Sequence, residues 1–242
     1  MGSGSGSPDP TLLDIARAYT ERWLPGAPAR APDSVLVGWD EAYCRRVADW
    51  YDRSPTAYDD RRYARFTRET LRQYQTIVDA GYAVLPWQRP GVPYRDSTEL
   101  CTAVRATRRV YVYLTRDGHG DGPPVGFHPL REPSGVVVDG VALAYNDVFR
   151  AVHDVFGHVM YGNGFSAAGE FRAAYGHMRM YSEAVHPVVF TEQVAQICWY
   201  FFGPHLDRGA PRRYPDQKVL DCPPPLLADF KAMFGEGVGD GR

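Results

Sequence analysis

Through the first third of the chain, apolar side chains return every three to four positions. Residues 11–23 (TLLDIARAYTERW) carry Leu12, Ile15, Ala16 and Tyr19 at that spacing and stop before Pro25-Gly26, which predicts a helix closed by a pair that cannot continue it. The same spacing over 40–52 and 58–80 predicts two more. After Gly81 the period changes. YAVLPW is short and apolar, VYVYLT (110–115) alternates, and STELCTAVRA between them reads as a helix capped by Ser97, so a small sheet is expected beside the helices. From Asp117 to Gly140 glycine and proline dominate, giving a long loop of the kind that borders sites in compact enzymes. His119 and His128 lie in it and read as ordinary loop histidines.

Helical spacing resumes at Asn146, with Asn146 or Asp147 as the cap. FSAAGEFRAAYGHMRM (165–180) predicts another helix, and the stretch from Pro187 to Phe202, stopped by Gly203-Pro204, predicts the most apolar and therefore the most central one. His186 falls at its cap region, and the polar run Tyr214 to Lys218 looks exposed and receives no role. A short helix after 223 closes a mainly α (α+β) fold with a small β-sheet annex.

Composition narrows the classes. With 242 residues, 44% of them hydrophobic, the chain is long enough for one globular core. The opening MGSGSGS (1–7) reads as tag or linker, leaving 8–242 as a single domain. No apolar run approaches the roughly 20 residues that span a bilayer, so the expectation is a cytoplasmic protein without a membrane partner. A net charge of -2 argues against nucleic acid as a partner. Cys44, Cys101, Cys198 and Cys222 lie far apart with no C-x-x-C pair, as reduced thiols would. Arg61, Arg65, Arg68 and Arg72 form a stripe able to dock a phosphate or an acidic carrier protein, but Asp59, Asp60 and Glu69 beside it favour a solvated face.

The candidate chemistry sits in NDVFRAVHDVFGHVMYGNGF (146–165). His153 and His158 are five positions apart, and on a regular α-helix such positions diverge by about 140°, too far to share one ion. The spacing works if the helix loosens between them, where Gly157 makes local unwinding cheap. Their neighbours Val148, Phe149, Val152, Val155 and Phe156 are apolar, so two imidazoles entering a core want a partner, and a metal would satisfy both. Asp154 stands where a zinc protease has its glutamate, but the spacing is not H-E-x-x-H. Two imidazoles and one carboxylate form the facial triad that suits Fe(II) and O2. For the carboxylate, Glu192 on the most apolar helix is the first candidate, with Glu183 and Glu170 behind it. Arg150, one turn before His153, is a candidate for a substrate carboxylate or phosphate, with a salt bridge to Asp147 or Asp154 as the alternative. Asp154 reads as an outer support for a ligand imidazole or as surface. Trp199 belongs with Tyr200, Phe201 and Phe202, mostly core, of which one or two line an aromatic pocket. Glu170 and His177, seven apart, could supply a second metal site, although structural contacts explain them more simply.

The segment HDVFGHVMYGNGFSAAGEFRAAYG resembles the iron-binding part of the pterin-dependent aromatic amino acid hydroxylases, which carry H-[DE]-x-x-G-H and a later glutamate after an F-T pair. The resemblance covers about 146–203 and maps that glutamate onto Phe190-Thr191-Glu192, 34 residues after His158. It departs before the pair, where that family has Pro-Glu-Pro-Asp and this chain reads Ala-Tyr-Asn-Asp-Val-Phe-Arg. It implies a helical non-haem iron oxygenase core over about 141–222, with His153, His158 and Glu192 holding Fe(II). It implies O2 and a small molecule as partners, the latter aromatic or amino-acid-derived, of the kind oxidised in secondary metabolism, free or carrier-bound. The two electrons come from a tetrahydropterin or from the substrate itself. A zinc hydrolase on the same ligands, and a non-catalytic metal-binding protein, are the alternatives.

Overall fold

Asp9 accepts the backbone N–H groups of Thr11 and Leu12 and so starts α1 (Pro10–Trp23). In the computed structural model, residues 6–24, 35–57, 60–117 and 126–236 are described; His119 and the ends of the 58–80 helix and the 117–140 loop that fall between these ranges lie outside them. Asp40 caps α2 (Glu41–Arg53), and α3 (Asp60–Asp79) follows. Each helix buries the stripe that the apolar spacing marks: Leu12, Ala16 and Tyr19 on α1, Tyr43, Val47 and Tyr51 on α2, Tyr63, Phe66 and Ile77 on α3. On the outer side of α3, Arg65 pairs with Glu69 and Arg72 lies over the Trp23 ring.

Strand β1 (Ala83–Pro86) runs parallel to β2 (Arg109–Val112), with Ala83 opposite Arg109 and Pro86 opposite Val112. The crossover is α4 (Ser97–Thr107). Its cap is Asp96, whose carboxylate accepts the Glu99 N–H, and not the neighbouring Ser97. A second pair, β3 (Pro133–Val138) and β4 (Val141–Ala144), is antiparallel and lies partly within the expected loop. Asp139 and Gly140 both have positive φ, 49° and 77°, the backbone of a two-residue Asp-Gly hairpin turn.

Helix α5 (Tyr145–His153) begins one residue before the expected caps; Ala144 occupies the cap position, and Asp147 at the third helical residue reaches back to accept the Ala144 N–H. It continues without a break into a π-helical turn, Asp154–Val159. After a loop come α6 (Ala167–Met178), capped by Ser166, and a long apolar helix built from α7 (His186–Val189), a second π-helical turn (Phe190–Ala195) and α8 (Gln196–Phe202). Short α9 (Pro204–Asp207) and α10 (Pro224–Ala232) complete the order.

The centre of the packing is α5 with its π-turn, pressed between α3, α4 and α6, while α2 covers α8. Gly6 and Ser7, inside the stretch read as linker, dock there too: the Gly6 N–H donates to the Gly162 carbonyl and Arg105 donates to the Ser7 carbonyl. The four cysteines are unpaired thiols. No helix among the described residues is long and apolar enough to cross a membrane.

Candidate metal centre

The five-residue spacing of the histidines is a property of the π-turn. Here the N–H of Met160 donates to the Val155 carbonyl, and that of Asn163 to the His158 carbonyl; each wider loop places residue i+5 above residue i. His153 and His158 therefore face the same way, with ring centroids 4.8 Å apart and planes at 83°. Gly157 is required for room, not for unwinding. A Cβ there would stand 2.8 Å from His153 Nδ1 and 3.1 Å from the Ala173 carbonyl oxygen, so the glycine lets the His153 ring lie flat on its own helix beneath α6.

The carboxylate that meets the pair is Glu170, from the first turn of α6. Its Oε2 is 3.4 Å from His158 Nε2 and 3.8 Å from His153 Nε2, and one ligand atom from each of the three residues lies within 4.8 Å of the others. Atoms bound to one cation at about 2.1 Å and near right angles sit about 3 Å apart, so this set closes around an ion with small side-chain movements. The donor set, two neutral nitrogens and one anionic oxygen, fits a divalent transition metal. Among the described residues it is the one such group.

The outer edges of both rings are held. His158 Nδ1 donates to the Asn163 carbonyl (3.1 Å), and the Asn163 side chain donates to the Gly157 carbonyl (2.8 Å). His153 Nδ1 is 2.5 Å from Gln193 Nε2 and 3.3 Å from His177 Nδ1. Phe165, itself partly open to solvent, meets the His158 ring edge-on at 4.9 Å, and Phe149 stacks on His177 at 5.8 Å and lies 6.4 Å from the His153 ring.

Burial and charge act against each other here. Burial would drive His158 down, but the Glu170 and Asp154 carboxylates outweigh it and lift it to about 9. Burial would raise Glu170, but His158 and contacts from both rings hold it down to about 2. His153 feels the same Glu170 carboxylate, but burial, aided by the neighbouring His158 charge, outweighs it and lowers His153. Asp154 is lifted to about 7 by burial, against the pull of His158 and Arg150.

Glu192 is elsewhere. The second π-turn aims it at α3 and the loop before β3, where its carboxylate accepts from Tyr63 Oη (2.5 Å), His128 Nε2 (3.1 Å) and Gln196 Nε2 (3.0 Å). Gln193, the next residue, faces His153 instead. Glu183 lies in a 3-10 turn after α6 and joins neither group. His177 turns its ring to Gln73 (2.8 Å), Gln193 and His153, not toward Glu170 seven residues earlier on α6, so those two form no second metal site. Trp199 is buried against α2, its indole N–H donating to Asp52 and its ring stacked on His205 at 3.8 Å, which takes it out of a substrate pocket at the histidines. Arg150 anchors on the Tyr113 carbonyl (2.8 Å), without an ion pair to Asp147 or Asp154. Asp147 instead accepts from the Thr115 N–H and hydroxyl.

Sequence reading passed over Gln193, Gln73 and Asn163, which hold others in place; His177, weighed there for a second metal site, and His128, read as an ordinary loop histidine, are buried and do the same. The run Tyr214–Lys218 also has contacts, since Gln217 reaches Asn146 (3.2 Å) and Lys218 binds the carbonyls of Tyr51 and Asp52. No family model, curated protein or solved structure matches the chain.

Proposed function

We propose that the protein is a mononuclear non-haem iron(II) enzyme that uses O2 to oxidise an aromatic or amino-acid-derived small molecule, with His153, His158 and Glu170 as the ligand set. The observation that carries this reading is the convergence of two imidazole nitrogens on one carboxylate oxygen at 3.4 and 3.8 Å. Two histidines and a carboxylate on one side of an ion leave positions open for O2 and substrate. Fe(II) held there supplies the activation of O2; everything else falls to the chain. Asn163 fixes the His158 ring through Nδ1. Buried Phe149 backs the His153 ring and Phe165 borders the His158 ring on the solvent side. Asp154, lifted to about 7, holds or releases a proton beside the centre near neutral pH. Arg150, felt electrostatically by Asp154, offers a positive group for a substrate carboxylate. The electrons come from a tetrahydropterin or from the substrate.

A second reading has its own support. A zinc hydrolase on the same ligands needs a general base, and Asp154, coupled by charge to His158 and Glu170 and lifted by burial to about 7, is the candidate. Anaerobic reconstitution decides between them. Fe(II) and Zn(II) are each titrated into metal-stripped protein, and the loaded forms are assayed for O2 uptake with free aromatic amino acids, with and without tetrahydropterin, and for ester and peptide hydrolysis. The oxygenase reading expects one Fe(II) per chain and substrate-dependent O2 consumption. Hydrolysis by the zinc form with no O2 uptake by the iron form would replace it.

A further inference from the structure

We propose that Gln193 is a positioning residue for His153: a half-turn of its amide switches the ring between a closed tautomer and one that can ligate a metal. The inference rests on the metal centre proposed above. Gln193 is buried, and its Nε2 points at two ring nitrogens, His153 Nδ1 at 2.5 Å and His177 Nδ1 at 3.3 Å, while its Oε1 has no hydrogen-bond partner. The tautomer of His177 is set from behind. Gln73 Nε2 donates to the Met180 carbonyl, so Gln73 Oε1 is the acceptor for His177 Nε2–H, and His177 Nδ1 is left with its lone pair. That lone pair accepts from Gln193 Nε2 at 3.3 Å in the present orientation and can accept from His153 Nδ1–H, also 3.3 Å away, in the other, so it does not hold the amide to one of them.

His153 feels the difference directly. An amide N–H donated to its Nδ1 places the ring's single proton on Nε2, the nitrogen that faces Glu170, and closes the site to a cation. Ligation through Nε2 needs the proton on Nδ1; His177 Nδ1 at 3.3 Å is one acceptor for it, but the amide N–H at 2.5 Å opposes it, so the ring needs an acceptor where the amide nitrogen now stands. Rotation about Cγ–Cδ supplies one, because the two ends of an amide have nearly the same size and swap without repacking. One proton leaves Nε2 for solvent as the cation arrives, one is taken up from solvent at Nδ1, and the ring stays neutral. The half-turn gives Oε1 its missing donor and leaves Nε2 unpaired in its place. It exchanges one orphaned atom for another, so the two orientations lie close enough for a bound ion to choose between them.

The test uses Zn(II), which is diamagnetic, on the full chain. The His153 tautomer is read from ¹⁵N shifts of histidine-labelled protein, assigned by the signal lost in His153→Gln, and affinity from calorimetric titration. Expected are a proton on Nε2 in the metal-free protein and on Nδ1 in the zinc form. Gln193→Glu, which offers only acceptors, should move the metal-free ring to the Nδ1–H form and bind Zn(II) at least as tightly as wild type. Gln193→Met should weaken binding about 10- to 100-fold, the range for lost support of a ligand histidine. Gln193→Met binding like wild type would overturn the inference alone. Wild type failing to bind Zn(II) would overturn the metal centre and the inference with it. Should Gln193→Met not fold, the Gln193→Glu spectrum decides, and an unchanged metal-free tautomer counts against the proposal.

Discussion

Two glutamates sit deep in this protein facing histidine, and their surroundings are opposite in kind. Glu192 Oε1 accepts from the Tyr63 hydroxyl and from His128 Nε2–H; the His128 proton must be on Nε2 because Nδ1 receives the Leu130 backbone N–H. Oε2 accepts from Gln196 and, at 3.5 Å, from Gln217. The chain of contacts runs on through Asn146 and Thr115 to Asp147. Every lone pair that matters has a neutral donor, as a buried charge requires when it serves as scaffold. Glu170 has no such shell. It meets two ring nitrogens at 3.4 and 3.8 Å, longer than good hydrogen bonds and suited to an intervening ion. A carboxylate saturated by neutral donors holds a fold together; one whose close neighbours are ring nitrogens able to give up their protons can take a cation in their place.

The largest effect expected from this contrast is on metal affinity. Glu170→Ala should lower divalent-metal affinity by more than about 100-fold, beyond the loss typical of an outer support, and also lower metal-free stability at neutral pH, because His158 loses its charged partner. Glu192→Ala should leave affinity within a few-fold while costing about 3 kcal/mol of stability, because Tyr63, His128 and Gln196 are left without their acceptor. Calorimetric titration and urea unfolding on the same two variants measure both. If Glu192→Ala loses the metal and Glu170→Ala keeps it, the assignment of the two carboxylates is reversed.

Why the sequence pointed first to a glutamate that lies away from the histidines can be traced to particular residues. The histidine pair was legible, since His153 and His158 on an apolar stretch call for a shared partner, and so was the need for a local departure from α-geometry. The helices were legible from apolar spacing, and α1, α2, α6 and α10 fall close to their expected places. Glu192 drew attention because a carboxylate on an apolar helix looks unpaid for, but beside Gln196 on its own helix its donors come from Tyr63, His128 and Gln217, 129, 64 and 25 residues away along the chain. No local pattern reveals partners at such separations. The second π-turn was equally hidden, and it decides which way 192 and 193 face. The β3–β4 hairpin was readable: Asp139-Gly140 between apolar runs is a turn signal that the surrounding glycines and prolines obscured.

Metal-free stability should carry the signature of the Glu170 group through pH. His158 at about 9 lies above its ordinary 6.5, so the folded protein keeps a proton that the unfolded chain releases; that stabilisation is whole below about 6.5 and lost as pH rises to about 9. Asp154, at about 7 against an ordinary 3.8, adds a loss in the same direction between those values. Glu170, at about 2 against 4.5, stabilises fully above 4.5 and less as pH falls toward 2. Unfolding of stripped protein should therefore be hardest near about pH 5 and ease steadily to about pH 9. With saturating metal, His158 carries no proton, and its share of the alkaline decline should vanish. A stripped protein whose stability is flat from pH 5 to 9 would mean that His158 and Glu170 do not form the charged pair described.

The smallest effect tests whether the two carboxylates are as separate as their shells suggest. Tyr63→Phe removes one donor to a buried carboxylate that keeps three others, and hydrogen bonds to charged groups contribute about 1.5–3 kcal/mol, so a stability loss of about 1.5 kcal/mol is expected in urea titration. Metal affinity should not change. The outcome is not trivial, because Glu192 and Gln193 are adjacent on one π-turn, and a shift of either side chain can be passed to the other through the backbone between them. If Tyr63→Phe weakens Zn(II) binding by tenfold or more, the scaffold carboxylate is setting the orientation of Gln193, and through it of His153. The contrast between a structural and a ligating glutamate would then give way to one coupled unit.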